Sequence, residues 1–415
     1  MIIYSIQKGC VMQMKIKKLI HKWLPTMPKY SNRALHIIVI ALMLFGFIMV
    51  MSTITGYNYE MKTFVKEALK GVLFIVASYW GMCYIAKNFH LAWFKKHHWK
   101  LGVLLIIAMI ATLFFEGHFG AHCWITIGPF SIQPIEFVKV FMIIILALYI
   151  EMGNRSNVKL RYIIRVPLIY YVLFTIIGII QKDFGSVIIL TAIVCGLVLF
   201  TTNEKFKGWK TAILVLAGIG AILCAFAFTE TGVTLMSKTP FISHFAVRFQ
   251  NTLNPFIDPE NGGYQMIHGL YGFAHGGLKG VGLGNSIQKY GYLTQSESDY
   301  ILSIIVEEIG VFGLALVVFS YFVILMILFR YTRRAKSEGF RFILMGTAIY
   351  IFMHFLLNVG GVSGLIPLTG VPLLFISSGG SSLVSIMGCV GMCQNTIALL
   401  RRSGSTKKKK KRATA

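Results

Sequence analysis

The sequence predicts an all-α integral membrane protein: ten transmembrane helices with a large extracytoplasmic loop between the seventh and eighth. Three observations carry this expectation. The 415-residue chain is 56% hydrophobic and 13% charged, against about 25% charged for soluble chains, and its mean hydropathy is +0.71. Apolar runs recur at the roughly 20-residue length that spans a bilayer as a helix. The basic residues crowd into alternate connecting segments, the distribution that sets membrane orientation.

In chain order the spans are expected at 34–55, 67–86, 99–115, 134–151, 163–180, 184–201, 211–229, 300–328, 340–358 and 381–400. An even number puts both termini on one side. Segments 1–33, 87–100, 152–165, 202–210, 329–341 and 401–415 hold most of the 40 lysines and arginines, so that side is cytoplasmic. The other face keeps Lys62, Lys66, Lys70, Lys182, Lys238, Arg248, Lys279 and Lys289. The chain thus divides into a basic cytoplasmic N-terminal segment, 1–33, a ten-helix membrane domain, 34–400, and a basic cytoplasmic tail, 401–415. The net charge of +25 reads as topology rather than as a nucleic-acid surface. The tail run KKKKKR (407–412) suits anionic membrane lipid.

Cysteines 10, 83, 123, 195, 224, 389 and 393 fall mostly in apolar segments, without metal spacing or a paired framework, and read as small buried hydrophobes. The first 33 residues are basic and lack the apolar core of a cleavable signal peptide. Cys10, in KGCV, likewise follows no hydrophobic region.

The large outer loop covers 230–299 and contains FAHGGLKGVGLGNS (273–286). GVGLG lacks the strand-turn-helix setting of a phosphate-cradling fingerprint, so it reads as tight turns. The last outer loop, 359–380, is uncharged and rich in Gly, Ser and Pro. Such a segment is expected to be re-entrant or broken, which membranes tolerate only against protein or a wet cavity.

Ionisable residues at membrane depth are functional candidates by default. Glu136 and Lys139 stand at i,i+3 in the outer turns of the fourth span and are surface neighbours there. They form either a self-neutralising pair or the wall of an outward cavity. Asp183, in the turn QKDFG (181–185), is either an N-cap for the next helix or part of the same site. If the eighth span starts near Asp299, then Asp299, Ser303, Glu307 and Gly310 form one polar stripe, with Glu308 on the opposite side.

Four segments resemble a known family: ITIGPFSIQPIEFVKV (125–140), QKDFGSVIILTAIV (181–194), residues 248–313 and NVGGVSGLIPLTGVPLLFISSGGSSL (358–383). The chain resembles the shape, elongation, division and sporulation family (FtsW, RodA and SpoVE) of polytopic peptidoglycan glycosyltransferases, from about residue 34 to 400. GLGNSIQK (282–289) is similar to the division branch, FtsW, whereas GVP (370–372) is closer to the elongation branch, RodA. The resemblance implies polymerisation of lipid II into glycan strands on the outer face of the bacterial cell membrane, for septal wall synthesis or, alternatively, elongation. It implies ten helices around an outward cavity, and partnership with a class B penicillin-binding protein and other division proteins. The family motif LPEAxTDFIF places its key acid at Asp299. This chain reads LTQSESDYIL (293–302), with Thr294, Gln295, Ser296 and Ser298 departing from that motif. The resemblance also makes Glu136, Lys139, Asp183, Arg248, Ser303, Glu307, Ser381 and Ser382 candidates for substrate binding. In ISSGGSS (376–382), Ser378 stands where the family commonly carries an aromatic residue or Gln.

Such a polymerisation joins a sugar 4-hydroxyl to an anomeric carbon and expels a polyprenyl pyrophosphate. An α-linked donor giving a β-linked product requires inversion, hence a base at the attacking hydroxyl. Asp299 is the candidate. The leaving group needs positive charge, from Arg248, Lys139, Lys279 or Lys289, or from a divalent cation such as Mg2+ or Mn2+; no ligand spacing identifies a metal. The rival readings are a lipid II flippase, which buried charges and broken helices also suit, and a catalytically silent division scaffold.

Overall fold

The computed structural model describes residues 25–413 except 57–59, 118–119, 156–157 and 240–242; for 154–155, 243–245 and 404–413 it describes the backbone alone. Cys10, most of the basic segment 1–33 and the side chains of KKKKKR therefore lie outside the described residues.

Helix α1 (Arg33–Ile54) begins where the Asn32 side chain caps Leu35 N–H, and buries Leu35, Val39, Leu42, Met43, Gly46, Met49, Val50 and Thr53, one stripe at helical period. Gly46 lets it touch the irregular segment before the last helix: a Cβ there would stand 2.4 Å from Ile376 Cα. Helices α2 (Met61–Asn88) and α3 (Leu91–Thr112) follow, then a hairpin of β1 (Ile125–Ile127) and β2 (Phe130–Ile132) turning at Gly128 and Pro129. Next come α4 (Pro134–Arg155), with Pro at its first position as helix starts favour, α5 (Leu160–Ile180), α6 (Phe184–Phe200) and α7 (Lys207–Ala227). No residue of α7 is buried. It flanks the bundle, while α13 (Glu338–Val362) and α14 (Gly380–Ala413) run through its centre. Gly346 of α13 meets Ile143 of α4, and Gly391 of α14 meets the Met82 carbonyl of α2.

Among the described residues, seven helices are long and apolar enough to cross a membrane. The ten expected spans all fall on helices. The other three are α3, whose start LAWFKKHHWK is basic, α4 with its internal Glu136 and Lys139, and the 17-residue α6.

Two expectations change. The segment 230–299 is not simply a loop: it holds α8 (Glu230–Ser237), α9 (Ser243–Leu253) and α10 (Tyr264–Gly276), and its glycine-rich part beyond 277 is irregular. The eighth span is not one helix. It breaks at Gly310 (φ 74°, ψ −161°) into α11 (Ile301–Ile309) and α12 (Val311–Arg334). The glycine-rich segment makes the break tolerable by taking up the freed backbone groups. Val281 and Gly282 N–H donate to the Glu307 and Glu308 carbonyls, and Val311 N–H donates to Gly277 O. This satisfies groups that would be costly if buried alone.

Candidate functional site

Asp299 lies one residue outside α11, in a turn rather than on the helix, so the expected single-helix stripe from Asp299 to Gly310 does not form. Instead its position is set by main chain. Ser378 N–H donates to Glu297 O at 2.9 Å and Ser377 Oγ to Ser298 O at 2.7 Å. Asn358 Nδ2 donates to Asp299 O at 2.8 Å, and also to Val371 O at 2.9 Å. Three successive carbonyls are thus pinned by α13 and the segment before α14. The Asp299 carboxylate itself makes no hydrogen bond among the described residues. It faces Gly370, whose φ of +70° and missing Cβ keep the approach open. Loss of solvent, reinforced by the neighbouring charge of Glu297, lifts its pKa to about 6, a value suited to a general base near neutrality.

Glu297, Ser377 and Ser378 line a cleft of about 260 Å3, together with Lys70, Glu67 and Ser131 and apolar residues of α1 and α2. Lys70 also borders a second, larger groove of about 590 Å3, between the start of α2 and the hairpin turn Pro129–Phe130. Lys62, Lys66 and Lys70 (i, i+4, i+8) line it beside Met61, Val65, Leu69 and Leu73. Sequence reasoning missed this cationic, apolar groove. It started the second span at 67, which left Lys62 and Lys66 in a loop, although their four-residue spacing was readable.

The other candidates divide by what they touch. Lys139 is fully buried and donates to Glu136 at 2.7 Å; its Nζ lies 3.0 Å from His354 Nε2. Tyr350 OH donates to Glu136 Oε2 at 2.5 Å and meets Ser385 Oγ at 2.8 Å. His354 Nδ1 lies 3.1 Å from Pro372 O, which makes Nδ1 the protonated nitrogen and leaves Nε2 to accept from Lys139. Of the two readings for Glu136 and Lys139, the geometry is that of the neutralised pair, sealed within α4, α13 and α14. Tyr350, His354 and Asn358 were not singled out, yet they repeat at i, i+4, i+8 on one face of an apolar span. That spacing was the available signal.

Asp183 caps α6 by accepting from Ser186 N–H at 3.1 Å, and its other oxygen accepts from Gln133 Nε2 at 2.7 Å. Ser381 accepts from Gln133 N–H at 3.0 Å, and Ser382 donates to Gly379 O at 2.8 Å. Arg248 reaches the far end of the same irregular segment, donating to Leu368 O at 3.0 Å. Ser303 donates to Gly269 O at 2.6 Å. Glu307, a candidate of the polar stripe, is wholly buried: it accepts from Ile287 N–H and His275, both at 3.0 Å, from Gln288 N–H, and from Ser286 Oγ. A carboxylate so saturated fixes a loop. Glu308, expected on the opposite side, accepts from Ser52 at 2.6 Å and pairs with Lys289 at 3.5 Å, so Lys289 is sealed away too. Among the described residues no three His, Cys, Asp or Glu side chains gather as a metal centre.

Known proteins are similar to this chain in sequence and in fold. The probable peptidoglycan glycosyltransferase FtsW of Bacillus subtilis is 34% identical over 314 residues, 74% of this chain and 75% of its own length. A solved chain from work on the coordination of polymerization and crosslinking by a peptidoglycan synthase complex superposes with a TM-score of 0.66. It is 18% identical and covers 90% of this chain and 98% of its own. The rod shape determining protein RodA of Thermus thermophilus superposes with a TM-score of 0.57 at 16% identity, covering 88% and 96%. The two structures show the common fold. The family described as cell cycle protein, FtsW/RodA/SpoVE, matches residues 32–401, and the chain belongs to it.

Proposed function

We propose that this chain is a peptidoglycan glycosyltransferase of the bacterial cell membrane, polymerising lipid II into glycan strands for septal wall synthesis. The observation that carries the reading is Asp299, a carboxylate held through its main chain alone, with free oxygens and a raised pKa, whose loop neighbour Glu297 lines a cleft. In the reaction Asp299 accepts the proton of the attacking sugar 4-hydroxyl. The new bond forms at the anomeric carbon of the second molecule, and the bond to the polyprenyl pyrophosphate oxygen breaks with inversion. Lys62, Lys66 and Lys70 supply positive charge for the pyrophosphate, and the apolar stripe beside them takes the prenyl chain. A divalent cation, when bound, would neutralise charge on the leaving group; such an ion needs only one or two protein carboxylates besides phosphate oxygens. Glu136, Lys139, Asp183, Arg248, Ser381 and Ser382 act on the substrate through the segments they hold in place.

In this reading all ten helical spans cross the membrane, both termini are cytoplasmic, and the tail beyond 401 rests on anionic lipid. A transpeptidase that crosslinks the strands is the expected partner, as in the synthase complex that shares the fold. The flippase reading needs charged groups that face a pathway, whereas the Glu136–Lys139 pair is sealed. Purified protein with its partner transpeptidase and labelled lipid II decides the matter. Glycan strands on a gel are expected, while an absence of strands with every partner tried would favour transport or scaffolding.

A further inference from the structure

One face of α10 is made entirely of rings. Tyr264, His268, Tyr271 and His275 stand at i, i+4, i+7, i+11, on the face next to the buried Gly269, Gly272 and Gly276. The rings of Tyr264 and His268 lie 4.3 Å apart, and those of His268 and Tyr271 5.7 Å apart. Tyr292 stacks on His268 at 5.6 Å and 22°. Tyr271, Tyr290 and Tyr292 are each about half exposed, at 49%, 58% and 48%. Polar atoms lie among the rings, because His268 Nδ1 is held by Gln288 Oε1 at 2.8 Å.

The glycine face of the same helix packs against the site. The position of a Gly269 Cβ is 2.7 Å from the Tyr300 ring, and Ser303 bonds the Gly269 carbonyl. Gln265 bonds Thr294 in the loop that carries Asp299. The helix that carries the rings therefore packs directly on α11 and on the loop that holds Asp299. Its chemistry narrows the occupant. The lysine of this segment next to the rings, Lys289, is buried in its pair with Glu308, and His275 is held by Glu307, so the face offers little charge to a phosphate or an acidic lipid. Aromatic faces carry negative charge and their hydroxyls remain free to bond. That combination matches a neutral polymer of sugars, whose rings alternate C–H faces with hydroxyl and acetamido edges.

We propose that Tyr271 and Tyr292, backed by Tyr264 and His268, form a subsite for the uncharged β-linked amino-sugar backbone of the strand leaving the Asp299 site. The proposal rests on the polymerase reading, but it is testable apart from it. Chitohexaose is the probe, and its binding is measured on the full-length protein and on Asp299→Asn, which is expected to retain it. Tyr271→Ala with Tyr292→Ala is expected to bind about tenfold more weakly and to give shorter strands at an unchanged initial rate of lipid II consumption. Tyr271→Phe with Tyr292→Phe, which keeps the stacking and loses the hydroxyls, is expected to bind more tightly than the alanine variant and more weakly than wild type. Equal binding and equal strand length in the alanine variant would overturn the proposal. So would normal chitohexaose binding combined with activity lost only when the partner transpeptidase is present, since the face would then belong to a protein. Absence of polymerisation by wild type with retained chitohexaose binding would count against the polymerase reading alone.

Discussion

A base in a partly dry site works best when its proton affinity lies near the working pH, and burial together with one residue, Glu297, sets the affinity of Asp299. Loss of solvent raises its pKa and Glu297 adds to the rise, bringing it to about 6. In the proposed role the carboxylate is the active form, so polymerisation should fall as pH drops through about 6. Glu297→Gln removes a negative charge, lowers the pKa of Asp299 and should move that acid limb to lower pH; a limb that stays or rises would exclude this coupling. Asn358 acts through position. Asn358→Ala strips bonds from Asp299 O and Val371 O, each worth about 1 kcal/mol, and should cut kcat about tenfold with KM little changed. Asp299 was legible in the sequence because a resemblance singled it out. Asn358 and His354 were not, because a lone polar residue in an apolar span gains meaning only from its partners. Those partners, the 299 and 372 carbonyls, are main-chain atoms that no side-chain pattern reports.

The elements show where periodicity misleads. Residues 300–328 read as one apolar helix, and nothing local to Gly310 argues otherwise. The break becomes intelligible only through Gly277, Val281 and Gly282, some thirty positions upstream, which take up the freed backbone groups. Gly310→Ala should therefore be severe. It forces a side chain into a left-handed φ, costing about 1–3 kcal/mol, with a Cβ 2.3 Å from Leu278 O. Thermal unfolding in detergent should show a marked drop; a native melting temperature would mean that the break is dispensable. The start of α2 was misplaced for the opposite reason. Lys62 and Lys66 dilute the apolar signal, so a hydropathy reading begins the span late and loses the i, i+4, i+8 ladder.

At the scale of the whole molecule the sequence was most readable. Composition and the length of the apolar runs located the helices, because a bilayer imposes a length on each span. The distribution of charge within the bundle was harder to read. Of four basic residues expected to meet the pyrophosphate, Lys139 and Lys289 are sealed in ion pairs and Arg248 holds a main-chain carbonyl. Replacing Lys62, Lys66 and Lys70 together with Gln should raise KM for lipid II about tenfold and leave kcat nearly unchanged, with the effect shrinking at high salt; an unchanged KM would remove the groove from the substrate path. The most direct test of the catalytic assignment is polymerisation by purified Asp299→Asn with its partner transpeptidase and labelled lipid II. Loss of glycan strands from a protein that still folds and binds its partner is expected. Strands formed at the wild-type rate would contradict Asp299 as the base.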